Sequence, residues 1–191
     1  MSYRGTIGKL LEDRWGKLAE IRGVEVGVNE GVTSAYLLER FPLLRLDMID
    51  TFSAVNPDYE ATSDPLASRS RQEKYEAMVR ASKLTSFAHR RRDIFVRQSP
   101  EAAEFYPDLF YDFVFVDANH ELGAVLKDSR AWWPKVKPGG LLIWHDYGND
   151  QGDWTRGVKM AVDRFVSEVG RTVDHSDDYV AWCSRAEAEV A

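Results

Sequence analysis

An apolar run that breaks on two glycines four residues apart limits what this chain can become. Val24-Glu25-Val26-Gly27-Val28-Asn29-Glu30-Gly31-Val32-Thr33-Ser34 reads as a short buried strand, a tight turn and the start of an amphipathic helix. Val24 and Val26 supply β-branched residues for the strand. Gly27 and Gly31 are free to take positive φ, or to let a ligand approach the backbone where a Cβ would clash. The helix that follows aims its free N–H groups at the loop, which suits a polar or anionic ligand group. This is not the G-x-G-x-x-G turn of dinucleotide folds, because the turn holds only Gly27 and Gly31 and Glu25 precedes them.

The rest of the chain repeats the strand-then-helix unit. Residues 6–19 carry Ile7, Leu10, Leu11 and Leu18 at helical spacing with Trp15 alongside, so a first helix covers one edge of the domain or its cleft. After the glycine turn, Ala35, Leu37, Leu38 and Phe41 give a crossover helix its buried side, and Pro42 stops it. Residues 44–49 form a second strand ending on Asp50-Thr51-Phe52, and residues 53–70 read as a long loop of the lid or substrate-binding kind. A helix over about 69–88 leads to a third strand at 93–96, then to Ser99 as the N-cap of a short helix. Residues 111–117 are the clearest buried strand, apolar and aromatic until Asp117. Leu122, Val125, Leu126, Ser129, Trp132 and Trp133 lie on one helical face behind it, with the tryptophans read as core, and Lys137-Pro138-Gly139-Gly140 reads as a turn. A fifth strand at 141–144 delivers His145-Asp146-Tyr147, a last helix carries Val158, Ala161, Val162, Phe165 and Val169, and two short strands at 171–174 and 179–183 close the sheet as an antiparallel pair. The expected organisation is an N-terminal helix over 1–20, one α/β domain over 21–184 and a frayed tail over 185–191.

Alternation of this kind implies a doubly wound parallel sheet, in which ligands bind outside the carboxyl ends of the strands. Asn29, Asp50, Ser99, Asp117, His120, His145 and Asp146 all fall at or just beyond such ends. An acidic residue about 20 positions after the glycine turn, as Asp50 is, suits the ribose hydroxyls of a nucleoside. Asp117 and Asp146 close two apolar strands on one rim, which assembles either an oxygen-rich cation site or an acid/base pair. His120, three residues after Asp117, has the side chain whose ordinary pKa near 6.5 makes it the natural proton acceptor at neutral pH.

Composition removes several function classes. A chain of 191 residues with 44% hydrophobic and 29% charged residues suffices for one domain with helices on both faces of its sheet. A net charge of -6 disfavours a phosphate-backbone binder, and the one basic run, His89-Arg90-Arg91-Arg92, suits capping of the preceding helix instead. Residues 1–9 lack the apolar core of a signal peptide and no window reaches the roughly 18 apolar residues of a membrane helix, so no membrane partner is expected. A single cysteine, Cys183, reads as apolar filler near a strand end and fits a reducing, cytoplasmic compartment.

Five motifs together resemble the class I S-adenosylmethionine-dependent methyltransferases: Glu25-Val26-Gly27-Val28-Asn29-Glu30-Gly31, Ile49-Asp50-Thr51-Phe52, Val116-Asp117-Ala118-Asn119-His120, Lys137-Pro138-Gly139-Gly140 and His145-Asp146-Tyr147. Within that class the chain looks most like the group holding the macrocin and mycinamicin sugar O-methyltransferases, over about residues 20–183. The resemblance implies a Rossmann-like sheet of seven strands in the order 3-2-1-4-5-7-6, the seventh antiparallel. It implies that Glu25, Gly27 and Gly31 shape the pocket for the methionine part of S-adenosylmethionine, that Asp50 binds the ribose and that Ser99 lies near the adenine, with Asn29, Thr51 and Asp117 also in the cofactor site. It further implies a Mg²⁺ ligand at Asp117, a catalytic base at His120 and an acidic pair after the fifth strand. Here the chain departs from the pattern, since His145 stands where an acid is expected and leaves Asp146 as the pair's one carboxylate. Imidazole suits Zn, Fe or Ni better than Mg²⁺, so for a divalent ion (Mg, Mn or Zn) on Asp117, His145 and Asp146 either the metal differs from the family's, its affinity is low, or the enzyme works without one.

The expected reaction is therefore methyl transfer from the sulfonium of S-adenosylmethionine to a hydroxyl oxygen of a small acceptor, a sugar or another natural product, with His120 and Asp117 catalytic. Two other readings compete: a nucleoside-binding domain without turnover, and a nicotinamide-linked oxidoreductase, which lacks its third glycine here. A base-directed N-methyltransferase would be expected to carry Asn-Pro-Pro-Tyr or Asp-Pro-Pro-Tyr where this chain has Asp117-Ala118-Asn119-His120. Acceptor contacts are expected from residues 1–20, 53–70 and 147–155, and a homo-oligomer is compatible with the sequence.

Overall fold

The computed structural model describes residues 2–52, 57–150, 152 and 155–187. Helix α1 (Tyr3–Trp15) precedes strand β1 (Arg22–Val26), helix α2 (Val32–Arg40) and strand β2 (Arg45–Asp50). A single helical turn, α3 (Pro57–Glu60), lies inside the stretch read from sequence as structureless, and α4 (Arg71–Leu84) follows it. Then come β3 (Arg92–Val96), the short α5 (Ser99–Ala103), β4 (Tyr111–Val116), α6 (Leu122–Trp132), β5 (Val136–Trp144), α7 (Arg156–Glu168), β6 (Asp174–His175) and β7 (Ala181–Ser184). The seven strands lie in the order β3-β2-β1-β4-β5-β7-β6, with β7 antiparallel to both its neighbours, as the resemblance implied.

Two apolar layers, one on each face of the sheet, follow from the period of two along the strands. Val24, Val26, Val114 and Val116 pack with Trp132, Trp144 and Phe165 under α5, α6 and α7. Phe113, Phe115, Leu46 and Met48 point the other way, onto Ile7, Leu11, Leu37 and Phe41 of the α1 and α2 side. Trp132 is fully buried, as its place on the apolar face of α6 required. Cys183 is buried too.

Three local expectations are corrected. The segment Lys137-Pro138-Gly139-Gly140 is not a free turn but lies inside β5, where residues 137–140 face only Asp112 between the pairs Tyr111↔Val136 and Phe113↔Leu141. Gly139 at φ 73° absorbs the irregularity. The basic run caps two helices, not one. Arg91 donates to the carbonyls of Leu38, Phe41 and Leu44 at the end of α2, while Arg92 donates to Ser82 in the last turn of α4. Arg185, the start of the stretch expected to fray, is anchored through its guanidinium to the carbonyls of Trp133, Pro134 and Val136. Of that tail, residues 188–191 lie outside the described residues, as do 53–56 of the long loop and 151, 153 and 154 of the loop after β5. No helix among the described residues is long and apolar enough to cross a membrane.

Candidate active site

Sheet order sets the layout of the site. Because β1 sits between β2 and β4, the rim of carboxyl ends runs from residues 97–99 after β3, through Asp50, to Gly27 and then Asp117. The strand order reverses direction at β1 and β4, which is where a doubly wound sheet opens a crevice. A cavity of about 680 Å³ lies along this rim and is lined by Gly27, Asn29, Asp50, Thr51, Ser99 and Asp117, six of the positions singled out from sequence. That is the size of a nucleoside-bearing ligand rather than of an ion or a metabolite of a few atoms.

The glycine turn is closed by the neighbouring strand. Gly27 has φ 91°, its N–H donates to the Ile49 carbonyl at 2.9 Å, and a Cβ built on it would stand 2.0 Å from the Asp117 carbonyl oxygen. Only glycine lets the end of β1 and the residue after β4 approach so closely. Gly31, at φ 76°, begins α2, and a Cβ there would meet Ala81 of α4 at 2.7 Å. Glu25 and Gly31 do not line the cavity; they support it from behind. Glu25 is buried and accepts from the Ser34 hydroxyl, and burial pushes its carboxyl up to about 8 against that hydrogen bond. Asp50 holds the turn through both oxygens, accepting from the backbone N–H of Asn29 at 2.8 Å and of Phe52 at 2.9 Å. Each oxygen keeps a lone pair for a ligand hydroxyl. Arg69 reaches across from the long loop to the Asn29 side-chain oxygen at 2.7 Å, tying that loop to the turn.

At the Asp117 end five side chains meet. His145 Nδ1 lies 3.2 Å from Asp117 and 2.9 Å from Asp146. His120 Nε2 lies 3.0 Å from Asp146 and 3.8 Å from Asp117, and its Nδ1 lies 2.8 Å from Asp64. Burial works to lower the pKa of both histidines, but the carboxylates around them win, raising His145 to about 9 and His120 further still. The same contacts hold Asp117 and Asp146 below the ordinary carboxylate range although burial opposes it. The Tyr3 ring of α1 packs on His145 with centroids 4.0 Å apart, so the N-terminal helix closes this end of the site. Asp146 sits at φ 60°, held by the Asn149 amide at 2.6 Å.

One oxygen of Asp117, one of Asp146 and a nitrogen of His120 lie within 4.8 Å of one another, which fits a cation with mixed oxygen and nitrogen ligands. His145, expected as the third ligand, pairs with the same two carboxylates. Ser99 differs from its expected role: α5 begins at Ser99 without a side-chain cap, and the Ser99 oxygen accepts from the Trp132 indole at 2.9 Å. Sequence reading passed over two acidic groups. Asp64 lies in a loop whose composition carries no code, and nothing in the sequence marks it. Asp128 had a signal, a carboxyl three residues after Val125 and four before Trp132 on the buried face of α6.

A family model described as a methyltransferase domain matches residues 24–147. The chain belongs to that family, and with its sheet order it is a class I S-adenosylmethionine-dependent methyltransferase. No curated protein matches it. Among solved structures the fold is similar to that of a Corynebacterium glutamicum protein (15% identity, TM-score 0.66, covering 97% of this chain and 83% of that one). It is similar as well to the O-methyltransferase NovP (16% identity, TM-score 0.66, covering 96% and 79%). A third is the O-methyltransferase TomG of Streptomyces achromogenes, involved in tomaymycin synthesis and solved with S-adenosylmethionine (14% identity, TM-score 0.64, covering 96% and 79%).

Proposed function

We propose that the protein transfers the methyl group of S-adenosylmethionine to a hydroxyl oxygen of a small molecule, a sugar or another natural-product acceptor. The observation that carries this reading is the histidine–carboxylate cluster placed at one end of a nucleoside-sized cavity, against Asp117, which belongs to both. The ribose hydroxyls go to Asp50 and the methionine part lies over Gly27 beside Asp117, which brings the sulfonium methyl to the cluster. The chain's task is to align the acceptor oxygen with that methyl carbon and to take its proton.

His120 is the proton acceptor. With carboxylates on three sides it is held protonated in the protein alone, so it serves as a base once Asp117 and Asp146 are neutralised. A divalent ion on those carboxylates, with His145 Nδ1 as the further ligand so that His120 Nε2 stays free to take the proton, would supply that neutralisation and lower the pKa of a bound hydroxyl. The mixed donor set favours Mn or Zn over Mg. The related O-methyltransferases NovP and TomG support the choice of oxygen as acceptor. The protein acts in the cytoplasm without a nucleic-acid or membrane partner.

Calorimetric titration with S-adenosylhomocysteine tests the cofactor, run after chelation and again with Mg²⁺, Mn²⁺ or Zn²⁺ and a panel of hydroxylated acceptors. Micromolar binding and turnover of a hydroxyl acceptor are expected. His120→Ala is expected to cut turnover by about 10²-fold or more with cofactor affinity retained. A variant as active as the parent would remove His120 from the mechanism, and absence of cofactor binding would remove the whole reading.

A further inference from the structure

We propose that Asp128 is the residue that reads the base of the cofactor, its carboxyl accepting a hydrogen bond from the 6-amino group of adenine. The inference rests on the S-adenosylmethionine reading above and extends it to a specificity-determining group. Along the rim, residues 97–99 and Asp117 lie at opposite ends with Asp50 between them. A ligand whose ribose sits at Asp50 and whose methyl group faces Asp117 must therefore put its base at the Ser99 end. Asp128 lines the cavity at that end, with Ala124, Lys127 and Ser99.

Asp128 is an unusual residue to find there. It is 5% exposed, on the face of α6 that otherwise buries Val125, Leu126 and Trp132. Burying a carboxyl costs free energy unless its oxygens are satisfied. Burial pushes its pKa up to about 7, against the opposing influence of the neighbouring Ser99 hydroxyl and the charge of Lys127. The Ser99 oxygen accepts from the Trp132 indole at 2.9 Å, which fixes that hydroxyl beside Asp128 on the cavity wall. Asp128 brings carboxylate acceptors to the cavity wall, and the exocyclic amine of adenine is the donor that a nucleoside brings to that end. A 6-oxo purine would present an oxygen to an oxygen and be rejected.

The test is calorimetric titration at pH 8.5 with S-adenosylhomocysteine and with S-inosylhomocysteine, which differs by a 6-oxo in place of the 6-amino group. The wild-type protein is expected to prefer the adenosyl ligand by about tenfold or more, the loss expected when a buried acceptor goes unpaired. In Asp128→Asn one acceptor oxygen at this place becomes an NH₂ donor, so the preference is expected to vanish or invert. In Asp128→Ala the adenosyl ligand weakens by about tenfold and the inosyl ligand does not. A wild-type preference that survives in either variant, or an equal loss on both ligands, would overturn the assignment while leaving the cofactor reading intact. Failure of the wild-type protein to bind either ligand would overturn both. The ratio of two affinities on one folded variant separates base recognition from a packing role of Asp128.

Discussion

His120 is placed by its neighbours more than by its own helix. It lies between β4 and α6, and its Nδ1 is fixed by Asp64, a residue 56 positions earlier in the chain. Asp64 is itself buried, and its other oxygen accepts from the Leu66 N–H at 2.8 Å, so the carboxylate is preset before the histidine meets it. A carboxylate on Nδ1 leaves Nε2 as the atom directed at Asp117, Asp146 and the cavity end. Asp64 is therefore a positioning residue. Asp64→Asn keeps the size and the acceptor but removes one of the three charges that hold His120 protonated. Turnover is expected to fall about 10- to 100-fold with S-adenosylhomocysteine affinity kept within about twofold. The acid limb of the pH–turnover profile is expected to move to lower pH, since an imidazole with fewer anions beside it gives up its proton sooner. A profile that does not move would reduce Asp64 to a packing role.

At the scale of elements, the sheet edge was readable because each strand carries its own signal, whereas the links between distant segments carry none. The approach of β1 to the end of β4 shows the difference. Val24 and Val26 mark the strand and Gly27 marks a turn, yet only the fold reveals that Gly27 is obligatory because the Asp117 carbonyl occupies the place of its Cβ. Gly27→Ala is expected to cost about 3 kcal/mol or more, combining a backbone clash with a side chain at positive φ. Gly170→Ala, at the left-handed end of α7, also falls at positive φ, 64°, but meets nothing within 4 Å, and its cost is expected to stay at about 1 kcal/mol. Thermal unfolding of the two variants side by side checks this, and equal shifts would show that backbone strain alone, not the contact with Asp117, fixes the glycine. The same reasoning explains the misread elements. Pro138-Gly139-Gly140 has turn chemistry, but the pairing of β5 with β4 resumes at Leu141, so the turn residues bulge inside a strand. Ser99 has cap chemistry, but a tryptophan 33 positions later takes its oxygen. Asp50, Asp117, His120, His145 and Asp146 were readable because each stands next to its strand, and Asp64 was not, because it enters from a loop without periodicity.

For the whole molecule, the buried titratable groups act in one direction as pH rises from mildly acid to alkaline. His120 and His145 have folded pKa values above their ordinary 6.5, so their ion pairs contribute fully below that pH and are lost as pH climbs through about 9 for His145. Glu25 and Asp128 are carboxyls raised by burial, to about 8 and about 7, so folding is opposed progressively once their unfolded counterparts ionise above about pH 4. In both cases the folded chain binds more protons than the unfolded chain, and stability must fall with rising pH. Asp117 and Asp146 act at the other end: lowered in the folded state, they contribute above about pH 4 and lose that contribution as pH drops further. The metal-free, cofactor-free protein is therefore expected to be most stable near pH 5 and to lose melting temperature steadily between pH 6 and 9, the net charge of -6 acting in the same sense through self-repulsion. A divalent ion on Asp117 and Asp146 would take over the role of the histidine protons, and added Mn²⁺ is then expected to flatten the alkaline decline. Melting curves at fixed ionic strength, with chelator and with Mn²⁺, decide the matter. A melting temperature that rises from pH 6 to 9 under chelation would mean that the histidines are neutral in the folded protein, and His120 would then be poised as a base without any cation.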